Sequence, residues 1–191
     1  MKHAAFLPSF RLPLRMPAPL LHALCAAAVL LAAGAARADD YADVNALLRS
    51  GQSAEALAKA DAYIRTNPRD PQMRFLRGVI LSEQGKTADA QAAFTQLTQD
   101  YPELPEPYNN LAAIYAAQGQ YGKARDALES ALRLNPHYAT AHENLGDVYA
   151  RLAAQQYAKA QQYASTSASV APKLALVRQV FDKPAEPEGK R

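Results

Sequence analysis

His137, His142 and Glu143 are the residues of this chain best suited to chemistry, since imidazole beside carboxylate can hold zinc or move a proton. The zinc-helix pattern His-Glu-x-x-His would need a second histidine at position 146, which is Gly146. His137 and His142 are five apart, which puts them on different faces of a helix rather than one above the other. The single cysteine, Cys25, lies in an N-terminal apolar run and supplies no thiolate to the body of the protein. With no third ligand in view, neither a metal site nor a cofactor is expected. Ser50, Ser53 and Ser130 fall beside turns or in helices, without the strand–turn–helix setting of a hydrolase nucleophile. Glycine-rich phosphate loops are absent, and Asp and Glu recur at helical spacing, as on solvated faces. The sequence therefore predicts no enzyme and no catalytic residues.

The first 38 residues read as an export leader, not as fold. Lys2, Arg11 and Arg15 precede an apolar run from Leu20 to Ala36, and Ala36-Arg37-Ala38 has the small-residue spacing that signal peptidase reads. A retained membrane anchor is the alternative, but spanning takes about 20 apolar residues and this run has His22 inside it. Leu24 before Cys25 does not fit lipid attachment, and no twin arginine occurs. These features predict the general secretory route, cleavage after Ala38, and a periplasmic or secreted product without a stable membrane anchor. Cleavage removes four basic residues and no acidic one, leaving 17 Lys and Arg against 18 Asp and Glu. The near-neutral remainder lacks the basic footprint of a nucleic-acid binder.

What must position any site is a repeat. Gly51, Gly85 and Gly119 are spaced 34 apart, as are Ala56, Ala90 and Ala124, and Pro68, Pro102 and Pro136. A fourth copy starts in the same register, with Leu145 and Tyr149 placed 34 after Leu111 and Tyr115. It then lengthens: Tyr157-Ala158-Lys159-Ala160 follows Tyr121-Gly122-Lys123-Ala124 by 36, so two extra residues lie between Tyr149 and Tyr157. Apolar and small residues recur at three- and four-residue steps on both sides of each glycine, the period of amphipathic helices. Each unit thus reads as two helices around a glycine that closes the first, with proline ending the second. Alanines let the helices approach closely, and tyrosines fill the space beside them.

A 34-residue period with this pattern resembles the tetratricopeptide repeat. It is fullest in the third unit: Tyr108, Leu111, Ala112, Tyr115, Gly119, Tyr121, Ala124, Leu128, Ala131 and Pro136. The resemblance covers residues 39 to about 172. It implies an all-α fold, a right-handed superhelical solenoid of about four helix–turn–helix repeats with a C-terminal capping helix. The expected units are about 39–70, 71–104, 105–138 and 139–172, within a solenoid of 39–182. A capping helix at 173–182 carries the stripe Leu174, Val177, Val180 and Phe181, and 183–191 has the composition of a disordered tail. Ser165 to Ser169 should loosen the end of the fourth unit. Arg77 stands where later units have Leu111 and Leu145, so it needs a carboxylate, and Asp43, one repeat earlier, is the expected partner.

Solenoids of this kind present their first helices on a concave face. One row there runs Tyr41, Phe75, Asn109, Glu143; the next Asn45, Val79, Ala113, Asp147; a third Arg49, Glu83, Ala117, Arg151. The groove should be aromatic at its start, amide-lined in the middle and acidic at its end. Asn109 would hold a peptide backbone, Phe75 and Tyr41 would anchor side chains, and Glu143 and Asp147 would favour a basic residue. The same faces could instead be ordinary helix surface. The family's clamp for C-terminal carboxylates is not carried over: Tyr41, Glu106 and Asn110 stand where its basic residues belong. The expectation is a non-catalytic scaffold that binds a partner protein or peptide in the groove, in cell-envelope assembly. Self-assembly through stacked repeats and an accessory subunit of an envelope enzyme are the alternatives.

Overall fold

The computed structural model describes residues 40–163 and 168–181. The leader (1–38), the first part of the serine stretch (165–167) and the tail (183–191) lie outside the described residues. The chain forms two compact units, residues 1–43 and 44–191. Of the first, residues 40–43 are described, and they are helical; that helix, α1, ends at residue 49. In the second, α2 (Ser53–Thr66), α3 (Pro71–Glu83), α4 (Thr87–Asp100), α5 (Pro105–Ala117), α6 (Tyr121–Leu134), α7 (Ala139–Tyr163) and α8 (Val170–Gln179) follow. From α2 onward each helix packs mainly on the next in chain order, as in an array whose units meet their neighbours. The second unit is the all-α solenoid the sequence predicts, closed by a capping helix.

The glycine period is a backbone requirement. Gly51, Gly85 and Gly119 have φ of 77°, 71° and 72°, the left-handed region that side chains avoid. Each closes the first helix of its unit in the same double hydrogen bond. In the third unit Gly119 N–H donates to Ala116 O at 3.0 Å and Gln120 N–H to Tyr115 O at 2.9 Å. Gly85 with Lys86, and Gly51 with Gln52, repeat the pattern, which satisfies carbonyls the helix end would leave orphaned. The proline period marks a second turn: Asp70, Leu104 and Tyr138 donate back to Asn67, Tyr101 and Asn135, with proline at the second position of each turn. Asp70 then caps α3, accepting from Gln72 and Met73 N–H at 3.0 and 3.1 Å ahead of Pro71.

The fourth unit departs from the expected helix–turn–helix. Its glycine position, 34 after Gly119, is Ala153, and α7 runs through it as one 25-residue helix. Without a residue suited to positive φ the double hydrogen bond cannot close, and alanine continues the helix instead. The two extra residues are absorbed as helix. The capping helix likewise begins at Val170, before the expected 173, with Pro172 in its first turn, where proline's missing N–H is harmless. Of its stripe, Leu174 is buried, Val177 and Phe181 are half-buried, and Val180 is exposed.

Packing explains the small residues. Ala56, Ala90 and Ala124 are fully buried. Phe94, Leu97, Leu81, Leu111 and Ile114 form one core cluster across the second and third units; Ala112, Leu128, Ala131 and Val148 belong to another across the third and fourth. Burying a side chain of the Phe or Leu size stabilises by about 1.5–3 kcal/mol. Gly78 exists for Phe94: a Cβ there would sit 2.6 Å from Phe94 Cε1, and the ring is fully buried. Arg77 finds its carboxylate in Asp61 of α2, Nε to Oδ1 at 2.6 Å, and not in the expected Asp43. At 37% side-chain exposure it also needs less compensation than a core arginine would.

Two kinds of glycine should separate in urea unfolding. Gly78→Ala should lose about 1–3 kcal/mol through overpacking against Phe94, and Gly78→Leu more. Gly119→Ala should lose about 1 kcal/mol from backbone strain alone, because nothing lies within 4 Å of the added carbon. Gly146→Ala, on α7 with open space around it, should gain about 0.5–1 kcal/mol.

Candidate functional site

The first helices of the units carry the candidate residues, and the structure sorts them into three groups. Tyr41 belongs to the first compact unit, where it is half-buried. Asn45 on α1, and Phe75 and Val79 on α3, are half-buried in the second. Phe75 and Val79 pack against the core cluster centred on Phe94, and the Phe75 and Phe94 ring centroids are 5.6 Å apart at 51°. One edge of Phe75 still opens on a shallow recess of about 350 Å³ with Pro71, Gln72, Leu104, Glu106 and Pro107. Phe75 and Val79 are structural first, and of Phe75 only that edge is offered outward.

Asn109 is the second group by itself. It is 8% exposed, and its Oδ1 accepts from Asn144 Nδ2 at 2.9 Å. The amide expected to hold a ligand backbone is engaged between α5 and α7, joining the third unit to the fourth. Its partner is absent from the three sequence rows. Asn144 stands 34 after Asn110, so the repeat register carried the signal one position away from the row of Glu143.

Ala113, Asp147 and Arg151 form the third group, and here the structure brings predicted residues together. They line a recess of about 420 Å³ between α5 and α7, floored by alanines and closed at the side by Asn144, Tyr121 and Phe181. Ala112, Ala113, Ala116 and Ala117 hold its floor low where larger side chains would fill it. Asp147 is exposed and has no hydrogen-bond or ion-pair partner among the described residues. Glu143, exposed one turn earlier on α7, does not line the recess but adds a second negative charge on the same helix. Arg151 meets a ring in place of a carboxylate: its guanidinium carbon lies 3.5 Å from the Phe181 centroid. Phe181 was legible only as a packing residue of the cap, since nothing in the repeat says where the chain after α8 arrives.

Elsewhere some charges are paired, as Arg74, Arg77 and Arg125 are, while others such as Asp89 have no ion-pair partner among the described residues. A recess between α2, α3 and α4 holds Arg74 and Arg77, but each has its own carboxylate, Asp100 and Asp61, at 2.6 Å. Hydrogen bonds from Arg74 and Gln96 hold the Asp100 carboxyl below the usual carboxylate range. His142 Nε2 lies 3.0 Å from Pro136 O, and His137 is exposed. Among the described residues no three His, Cys, Asp or Glu side chains converge as a metal site would require. None of the described helices is long and apolar enough to cross a membrane.

Comparison with known proteins agrees with this architecture. A profile of the tetratricopeptide repeat matches residues 41–105 and 81–124, and a second profile, of the TPR repeat, matches 113–152. Among solved structures, a thermophilic TPR protein of Thermus thermophilus is 22% identical with a TM-score of 0.57, over 75% of this chain and 81% of that one. The first TPR domain of Spaghetti (RPAP3), solved bound to the HSP90 peptide SRMEEVD, is 20% identical with a TM-score of 0.55, over 58% and 88%. MamA is 19% identical with a TM-score of 0.54, over 72% and 84%. At these identities the likeness is one of fold. The profiles, the 34-residue period and the stacked helix pairs lead to one statement: the chain belongs to the tetratricopeptide-repeat family.

Proposed function

We propose that this protein is a non-catalytic scaffold that holds a partner protein or peptide on the face formed by its first helices, in the bacterial periplasm and in the service of cell-envelope assembly. The observation that carries the binding site is the α5–α7 recess, where an unpartnered carboxylate, Asp147, stands beside a low alanine floor. Protein interaction is what the family's fold supports, and the Spaghetti domain of the same fold is bound to a peptide. That peptide is acidic. Here Glu143 and Asp147 favour a basic ligand, so the ligand class is shared while the charge preference is reversed. The envelope address rests on the N-terminal residues alone: the positive start, the apolar run and Ala36-Arg37-Ala38.

A second reading, self-association, draws on exposed apolar side chains near the C-terminal end, Leu176 at 64% and Val180 at 60%. Sedimentation velocity separates the two, because a scaffold that works through the recess stays monomeric without its partner.

Asp147→Lys together with Glu143→Lys should cut capture of a partner from an envelope extract by about tenfold or more, with helix content by circular dichroism unchanged. Equal capture by native and variant proteins would place binding elsewhere. Phe75→Ala and Asn109→Ala are poor probes, since both remove packing and would weaken the fold itself. Expressed in a bacterium with its leader, the protein should be recovered from the periplasm with Asp39 as its first residue, read by intact mass; an unprocessed N-terminus in the membrane fraction would overturn the address.

A further inference from the structure

We infer that the α5–α7 recess is a subsite for an aromatic side chain next to a basic one, and that Phe181 occupies its rim in cis until a partner's ring replaces it. The inference rests on the reading of this face as a peptide groove and specifies what the groove selects.

Phe181 differs from the rest of the lining because it comes from beyond the last helix, two residues past the end of α8. Its N–H donates to Arg178 O at 3.0 Å, which turns the chain back toward α7. There its ring covers the Arg151 guanidinium at 3.5 Å, face to charge, in the arrangement by which an aromatic ring attracts a cation. Arg151 thus presents an aromatic-binding surface, and the protein's own ring demonstrates the fit. One turn away, Asp147 makes no hydrogen bond or ion pair with a described residue, and Glu143 lies one turn beyond. A segment that places a ring on Arg151 puts its neighbouring side chain beside these carboxylates, where lysine or arginine is favoured. The recess of about 420 Å³ falls within the range of about 300–1,000 Å³ of sites that enclose small ligands, room for a ring and its adjoining backbone.

The in-cis ring lies beyond the helix that anchors it. Leu174 is the one buried residue of α8, while Leu176 and Val180 point outward. With α8 seated through Leu174 and Val177, the exchange needs only the ring to leave Arg151. A protein whose competent state is only partly populated binds with an affinity reduced by that fraction, so Phe181 sets a threshold that a non-aromatic segment fails to pass.

The chain contains no tryptophan, so Phe181→Trp in the full chain introduces a single fluorophore at the rim. The probe is a fluorescein-labelled, amidated Gly-Ser-Phe-Lys-Ser-Gly peptide, with Gly-Ser-Ser-Lys-Ser-Gly as control. The indole should be shielded from iodide in the free protein and exposed both by Arg151→Gln and by excess unlabelled probe. Phe181→Ala should bind the labelled probe about tenfold more tightly than the native chain, as when a competent fraction of one tenth becomes whole, and the control should bind neither form. An indole already exposed in the free protein overturns the in-cis contact. Equal affinity for native and Phe181→Ala proteins overturns the competition and leaves the groove reading standing. Equal binding of the two peptides overturns the aromatic preference. If the probe binds no form, the ligand chemistry inferred here is wrong, and partner capture sensitive to Asp147→Lys decides separately whether the groove binds at all.

Discussion

Each of the first three units turns through one residue with φ near +75°, and the solenoid depends on that backbone geometry. Reversing an α-helix within two residues leaves its last carbonyls without partners unless the chain enters the left-handed region and folds two N–H groups back on them. Glycine enters that region without strain, so the period in the sequence is the period of a hydrogen-bonding need. Where glycine gives way to Ala153, the reversal vanishes and α7 runs on. The same constraint thus accounts for the regular units and for the exception.

Close stacking follows from the reversals, and it determines which side chains remain for binding. Helix pairs set against each other by short turns bury alanine and glycine where they approach, as at Ala90, Ala124 and Gly78. Larger residues in the first helices are then drawn into the gaps between units. Phe75 and Val79 are spent largely on that packing, and Asn109 on its bond with Asn144. A recess persists at α5–α7 because four alanines share one stretch of helix and leave nothing to fill it. The candidate site lies where packing is incomplete.

The fold was legible because a repeat states its own geometry three times over. The positions of Gly119, Ala124 and Pro136 each have a backbone or contact reason that holds in every full unit. The site was legible only by row: the register placed Ala113, Asp147 and Arg151 on one face, and the structure brings them together. It could not show that Asn109 would be buried, because an amide reads alike whether it meets a ligand or the next helix. Nor could it show that Asp61 would answer Arg77, since the partner lies on the second helix of the preceding unit, outside the register that pointed to Asp43. The place of Phe181 was hidden for a related reason: it depends on the length and direction of α8, which no repeat encodes.

The fused helix α7 has a mechanical consequence. At 1.5 Å per residue its 25 residues make a strut about 37 Å long. One stretch of it forms the recess with α5, and the same element seats α8. In a regular unit a turn between the two helices would let one shift while the other stayed. Here no such joint exists, and the backbone runs unbroken from Asp147 to the surface that carries the cap. The fourth unit therefore carries the recess and the seat of the C-terminal helix on one continuous helix.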